Sequence, residues 1–402
     1  MLEVPQDIID TILDELDQDK STLSACSLVS KSFGLPCQKH LYKKIQIILF
    51  QPPNKEHDRI EQLRDILKVN PFITAQVKHL VLRLPEARAG RLLLTLEMLP
   101  RVSILTVHPI HNFMLTSPWD SFSQELRRDI LGFMRSPQVI DLSIHFFHEF
   151  PTNLLATCPQ LKSISFYYIS SPKAMHALDV TLPADEMTGR RGQLDCLRLY
   201  ATDPIPILQY LSTPMASLDV SHLRKLTAKW YLNEIAQFQA VSEPFAKCLE
   251  TLSLSILDPF IPWDAGNIFV VEHMAQKPTQ MTHLRSLELK FGFHTGYSLK
   301  WLHEFLRTSL PAMNALTTIS LEFYWSGAAR NWEEIDQSLW EALQTPSVAR
   351  SHIDLKWKNW RQEPMLETPP LDLQLMKKHL PRLVTRTGVS VTVKPRILFI
   401  IS

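Results

Sequence analysis

Pairs of histidines are the first residues in this 402-residue chain whose spacing could do chemistry. "HPIH" (His108, His111) and "HFFHEF" (His145, His148) each set two imidazoles three residues apart. On a helix that separation puts both rings on one face, where they could share a metal ion. Both pairs, however, begin at the end of an alternating apolar stretch, and in a strand residues three apart point to opposite faces. They are therefore expected to be loop histidines and not ligands. "HEFLR" at 303–307 lacks the second His of a zinc-protease helix, and neither G-x-S-x-G nor a glycine-rich phosphate loop occurs. Cys158, followed by Pro159, has no nucleophile signature around it and is expected to pack as a small apolar residue. The expectation is a chain with no catalytic residue, no metal and no cofactor, whose chemistry is supplied by partners.

The elements that carry these histidines repeat. Apolar-x-x-apolar-x-apolar segments occur as "VKHLVLRL" (77–84), "VSILTVH" (102–108), "VIDLSIHF" (139–146), "LKSISFY" (161–167), "LDCLRLY" (194–200), "LRKLTAKW" (223–230), "LETLSLSI" (249–256), "LRSLELKF" (284–291) and "LTTISLEF" (316–323). "SHIDLKW" (351–357) and "GVSVTV" (388–393) are degenerate last members. Successive segments begin 22 to 37 residues apart, with helical or loop stretches such as "DSFSQELRRDILGFMR" between them.

Recurring strand-plus-helix units of this kind resemble leucine-rich repeats, which stack parallel strands into a curved solenoid. Two departures make the repeat irregular. The spacings mostly exceed the usual ~20–29 residues. The Asn or Cys expected three residues after the third apolar slot is replaced by Ile169, Thr202, Tyr231, Leu257, Gly292 and Tyr324. The competing arrangement is a doubly wound α/β sheet, whose strands also alternate with helices. With only 10 glycines and no dinucleotide fingerprint, a nucleotide-binding member of that class is disfavoured.

Positions beside the apolar slots point away from the core. Of these, Tyr167, Arg198, Tyr200, Lys225, Lys229, Glu288, Lys290 and Glu322 are the candidate contacts for a protein target, and Arg83, His108, His145 and Lys356 share the same face. Aromatic residues gather at or after strand ends: Tyr168, Trp230, Tyr231, Tyr324, Trp325, Trp357 and Trp360.

Composition narrows the partners. The chain is 45% hydrophobic and 21% charged, as a globular protein is, and its net charge of +1 provides no field for nucleic acid or an anionic membrane surface. Five scattered cysteines fit free thiols in a reducing compartment. Acidic residues interrupt the first apolar stretch, so no signal peptide is expected, and "ILFIIS" at 397–402 is too short to span a bilayer. A cytoplasmic or nuclear protein is the expectation.

The first 46 residues stand apart. Ile8, Ile9, Ile12, Leu13 and Leu16 form a stripe at helical period behind Pro5. A second helix is expected over about 21–33, with Leu23, Cys26, Val29 and Phe33 on one side. Gly34 and Pro36 then predict a break before a third helix over about 37–46.

"VPQDIIDTILDELDQDKSTLSACSLVSKSFGLPCQKHLYKKI", residues 4–45, resembles the F-box along its whole length: a hydrophobic residue before Pro, an Ile/Leu helix, an acidic turn, a Leu-x-x-Cys/Ala-x-x-Val-Ser-Lys-x-Trp/Phe helix and a closing Leu-aromatic segment. Val4 stands where Leu is commonest in that family and Phe33 where Trp often stands. The resemblance implies docking of a Skp-family adaptor, and of a cullin through it. Val4, Pro5, Ile8, Ile9, Ile12, Leu13, Leu23, Leu28, Val29 and Phe33 fall on the matching positions. One N-terminal F-box followed by loose "LxxLxL" units is similar to F-box families of mushroom-forming fungi.

The expected organisation is α/β: a three-helix F-box at 1–46, a linker and connecting helix at 47–76, and an irregular leucine-rich-repeat-like solenoid of parallel strands and helices at 77–402. The resemblance implies a substrate-receptor subunit of a cullin-based ubiquitin ligase, with an unknown protein target and neither nucleic acid nor membrane as partner. A repeat scaffold or sensor outside any ligase is the alternative. Its N-terminal helices are a cap, which requires the Ile8/Ile12/Val29 surface to be buried against residues 60–100.

Overall fold

Short runs with apolar residues at alternate positions can bury them all only as strands, one face in and one face out. In "HLVLRL" the residues Leu80, Leu82 and Leu84 are 0% exposed, while Arg83 stands in solvent. The inward positions of the other segments are buried in the same way, and some outward ones, Val81, Ser165, Ser253, Ser320 and Glu322, are covered as well. In the computed structural model this alternation builds a mixed α/β protein dominated by parallel strands. The structure describes residues 5–17, 19–48, 56–84, 98–110, 116–169, 191–200, 202, 204–213, 216–231, 235–257, 281–292, 301–302, 305, 308–310, 313–325, 332–344, 351–359, 381–384 and 389–394. They fall in two compact units, Met1–Gly192 and Gln193–Ser402.

The first unit opens with three helices, α1 (Gln6–Glu15), α2 (Lys20–Ser27) and α3 (Lys31–Tyr42). Then come strand β1 (Lys44–Ile48), helices α4 (Glu56–Val69) and α5 (Pro71–Gln76), and strands β2 (His79–Leu84) and β3 (Ile104–Pro109). Helix α6 (Gln124–Met134) and strands β4 (Asp141–His145) and β5 (Ser163–Tyr167) complete it. Each strand pairs in parallel with the one before and after it in sequence.

Two local expectations are corrected here. The second helix ends at Ser27, and the third runs from Lys31 straight through Gly34 and Pro36. A proline inside a helix forfeits a backbone hydrogen bond. The loss is offset by Phe33, Cys37 and Leu41, one turn apart, which pack on the small core of Ile9, Leu13 and Leu23. The sheet also starts earlier than expected, at Lys44, because the β-branched run "KIQII" pairs with β2.

Helix α6 is capped by Ser123, whose hydroxyl accepts from the Leu126 N–H at 3.2 Å, and buries Leu126, Ile130, Phe133 and Met134. Trp119, Phe122, Phe147 and Phe150, all buried, form an aromatic cluster, Trp119 meeting Phe150 edge-on at 5.1 Å. Cys158 lies in the same interior. Its thiol reaches the Leu154 carbonyl at 3.7 Å, and burial pushes its pKa up to about 11, which leaves it protonated and inert as a nucleophile.

The second unit holds strands β6 (Cys196–Tyr200), β7 (Lys225–Tyr231), β8 (Thr251–Leu257), β9 (Ser286–Gly292), β10 (Thr318–Trp325), β11 (His352–Asn359) and β12 (Val389–Lys394). They run parallel in chain order. Helices α7 (Pro204–Leu211), α8 (Ile235–Ser242), α9 (Trp332–Leu343) and α10 (Pro381–Val384) intervene. Register aligns Leu226, Leu252, Leu287, Ile319 and Ile353 in one buried row and Ala228, Leu254, Leu289, Leu321 and Leu355 in the next, all at most 2% exposed. Each large aliphatic side chain in such a row contributes about 1.5–3 kcal/mol of burial. Both degenerate segments are strands, and among the described strands of either unit the order never reverses as it does in a doubly wound sheet.

At the end of the first unit the chain passes so close to the 159 backbone that a Cβ on Gly192 would lie 1.6 Å from the Pro159 carbonyl oxygen. Gly192→Ala is therefore expected to cost about 1–3 kcal/mol or more, read as a lower denaturation midpoint in urea.

Candidate docking surfaces

The ten residues of the F-box resemblance divide by burial. Ile9, Leu13 and Leu23 are at most 1% exposed and, with Cys37, form the core of the three helices, against which Leu16, Cys26, Phe33 and Leu41 also pack. Pro5, Ile8, Ile12, Leu28 and Val29 are exposed, and Val4 lies outside the described residues. The exposures are large: 48% for Ile8, 47% for Ile12, 86% for Leu28, 74% for Val29 and 60% for neighbouring Leu35. A cap would bury Ile8, Ile12 and Val29 against the following repeats, and these side chains are not buried.

The local chemistry that holds this face open is polar. Leu28 and Val29 sit in the turn after α2, with their N–H groups on the carbonyls of Ala25 and Cys26. Asp19 caps α2, accepting from the Thr22 N–H at 3.0 Å and from the Ser21 and Thr22 hydroxyls, which hold its carboxyl at about 2. At the other end His40 and Lys43 of the α3 segment reach back to Asp17 at 2.9 and 3.0 Å, tying the third helix to the turn after the first. The hydrogen bond from His40, then that from Lys43, holds the Asp17 carboxyl below the usual carboxylate range.

The outward faces of the strands form a second kind of surface. In the second unit, register places Lys290, Glu322 and Lys356 side by side on β9, β10 and β11. Much of this row is neutralised within the protein. Lys290 pairs with Glu288 at 3.2 Å, Glu288 also accepts from Ser253 at 2.6 Å, and Lys356 pairs with Asp354 at 3.0 Å while donating to Ser320. Glu322 is only 4% exposed, which takes it out of a partner's reach. Lys225 is exposed, while Arg198, Tyr200 and Lys229 are half-buried; burial lowers the Lys229 ammonium pKa.

In the first unit the ends of β3, β4 and β5 bring together residues far apart in sequence. His108, His145 and Tyr167 stand in one row, the imidazoles 5.6 Å apart and His145 stacked on Tyr167 at 4.2 Å and 12°. Of the two i,i+3 pairs, one includes His111, which lies outside the described residues; in the other, His148 turns to Glu149 at 3.5 Å. Immediately after β4 and β5, Phe146 (φ 57°) and Tyr168 (φ 54°) take left-handed backbone, uncommon for such residues. Each breaks the strand alternation, so that Phe146 lies 5.0 Å from His108 and stacks on Tyr168 at 4.9 Å and 7°. Tyr168 remains 52% exposed. The signal for this pair was the "HF" and "YY" that close two equivalent segments, though nothing in those letters announces a positive φ.

Burial lowers the pKa of His108 and drives that of His145 down to about 4; the neighbouring imidazole adds to the second shift. His79, on β2 of the same face and 3.0 Å from the Thr106 hydroxyl, is likewise driven to about 4. Trp230 of the aromatic set is fully buried, and Trp360 and the side chains of Tyr231, Tyr324, Trp325 and Trp357 lie outside the described residues.

No protein-family model matches this chain, and no curated protein is similar enough to it to count as a relative. No described helix is long and apolar enough to cross a membrane.

Two pH effects follow, with different windows. Histidines whose folded pKa is depressed take up protons more readily when unfolded, so stability falls as the pH drops from about 6.5 toward 4. His145→Phe is expected to flatten that fall in urea titrations at pH 7 and 5. The depressed Asp17 carboxyl acts lower. Its contribution is present above the ordinary carboxylate pKa and is lost as the pH falls below about 4. Asp17→Asn should raise amide exchange in α3 at neutral pH and remove most of its acid dependence.

Proposed function

We propose that this protein is a non-catalytic substrate receptor of a cullin-based ubiquitin ligase. Its N-terminal helices dock a Skp-family adaptor, and the parallel-strand repeats, an irregular solenoid of the leucine-rich-repeat type, hold a target protein. One observation carries the reading: Ile8, Ile12, Leu28, Val29 and Leu35 are exposed on helices that already possess a core of their own. A chain that leaves five large apolar side chains in water on a module this small favours a partner surface there. The residue order of the F-box resemblance says which partner.

The physical role is positional. Binding the adaptor and the target in one chain raises the effective concentration of a target lysine near a ubiquitin carried by other subunits, with no reacting group contributed by the receptor. Burying an exposed Leu or Val against the adaptor contributes up to about 1.5–3 kcal/mol each, enough over five side chains to support stable association.

Co-purification with a Skp-family adaptor tests the reading. The native chain is expected to be captured, and Ile12→Asp, Val29→Asp to lose capture by roughly 100-fold or more, since each aspartate desolvates a charge where apolar burial stood. Both substituted side chains are exposed, so the double variant should keep the native circular dichroism. A folded native chain that captures no adaptor would sink the proposal and leave a repeat scaffold.

A further inference from the structure

The outward face of the first unit's strands carries a shallow trough, open at the half-buried Thr106 and Ser143 and closed at Val81 and Ser165, which are 8% and 2% exposed. Its middle row, Val81, Thr106, Ser143 and Ser165, is aligned by strand register and short in side chain from Thr106 onward. On one side stand Lys44, His79, Ile104 and Asp141, and on the other Arg83, His108, His145 and Tyr167. Rings stacked across neighbouring strands face one another, so they offer a ligand their edges: the C–H edge of Tyr167 is positive, and each neutral imidazole has one N–H and one lone pair in its plane.

Charge points the same way. Arg83 is exposed and has no ion pair among the described residues. It is the register neighbour of His108, with strands about 4.8 Å apart, and its positive charge is felt by that imidazole. Lys44 adds a second cation, and Asp141, two rows from Arg83, is the one carboxylate that the described residues of these five strands place on this face. The His108 Nδ1–H is occupied by the Pro109 carbonyl at 2.5 Å, whereas the His145 ring nitrogens have no hydrogen-bond partner among the described residues. A guanidinium and an imidazole N–H thus flank the ring of His108, with the Phe146–Tyr168 stack, half-buried at Phe146 and exposed at Tyr168, beside them as an apolar shelf.

We propose that this trough seats an acidic segment of the target protein, with a carboxylate held by Arg83 and His145 and an adjacent aromatic or large aliphatic side chain on Tyr168. The proposal rests on the reading of the strand face as target-binding and names the chemistry of what binds there. It concerns the first unit alone: in the second the row of Lys290, Glu322 and Lys356 is matched internally by Glu288 and Asp354, whereas Lys225 and Lys229 have no ion pair among the described residues. A small free anion would use the guanidinium but not the trough or the shelf, and a basic segment would face Arg83 and Lys44.

The test is selection of random twelve-residue peptides, displayed on phage, against the immobilised full chain. Recovered peptides are then measured in solution by fluorescence anisotropy. Enriched sequences are expected to place Asp or Glu next to Phe, Trp or Leu. Arg83→Glu should weaken them by at least about tenfold, as loss of a charge-assisted contact and its replacement by repulsion predict. His145→Ala should weaken them severalfold, and Lys225→Glu, in the second unit, should leave them unchanged. Arg83 is solvent-exposed, so its variant reports on binding and not on folding. Enrichment of neutral or basic peptides, no enrichment, or indifference to Arg83→Glu would overturn the proposal. Adaptor capture by the same preparations is scored separately, so an acidic site without an adaptor, or an adaptor without an acidic site, is recognisable.

Discussion

Everything in this protein hangs on parallel register. An apolar residue at every second position of a strand keeps dry only if the next strand supplies an equivalent residue alongside, and the rows Leu226–Leu252–Leu287–Ile319–Ile353 and Leu80–Leu105–Leu142–Ile164 are that condition met repeatedly. A slip of one residue would turn each row toward water. The same register fixes the opposite face without further expense, so residues tens of positions apart in sequence, such as Arg83, His108, His145 and Tyr167, come to stand in line. The chemistry of that face is therefore laid across the strands and not along them.

The two N-terminal turns show the other scale at which burial decides. The helices hold only four fully buried side chains, so little apolar burial separates their fold from its loss. Polar ties do the remaining work: the Asp19 cap, and His40 and Lys43 on Asp17. Because these ties hold the turns in place without covering Leu28 and Val29, the module can be ordered and apolar on its surface at once.

Strand positions were legible in the sequence because alternation is imposed by the core: each of the nine full segments, and both degenerate ones, is a strand. Helix limits near Gly34 and Pro36 were not legible, because those residues disfavour a helix locally while Phe33, Cys37 and Leu41 need one to reach the core. The F-box-like positions were legible as a set, yet not which of them faced in, since Ile8 and Ile9 are chemically identical and differ only in the angle at which α1 meets α3. On the strand faces alternation shows which residues stand beside the core positions, yet not how far each is covered: Glu322 is only 4% exposed. Whether a charge was already spent could not be read, because Lys290 meets Glu288, and Lys356 meets Asp354, only once side chains take rotamers. The place of Phe146 was not legible at all, because its ring is set by a backbone angle that its own residue type disfavours.

That angle has a consequence for how the sequence can drift. At Phe146 and Tyr168 the backbone is left-handed, a conformation that β-branched side chains resist most. Valine, isoleucine and threonine, the commonest replacements in strands, are thus barred at the two places where the strands stop. Asn, Asp or Gly would relieve the backbone but abolish the stack. The ring pair is held between a conformational filter and a packing requirement, and descendants of this chain can be expected to exchange one aromatic for another there.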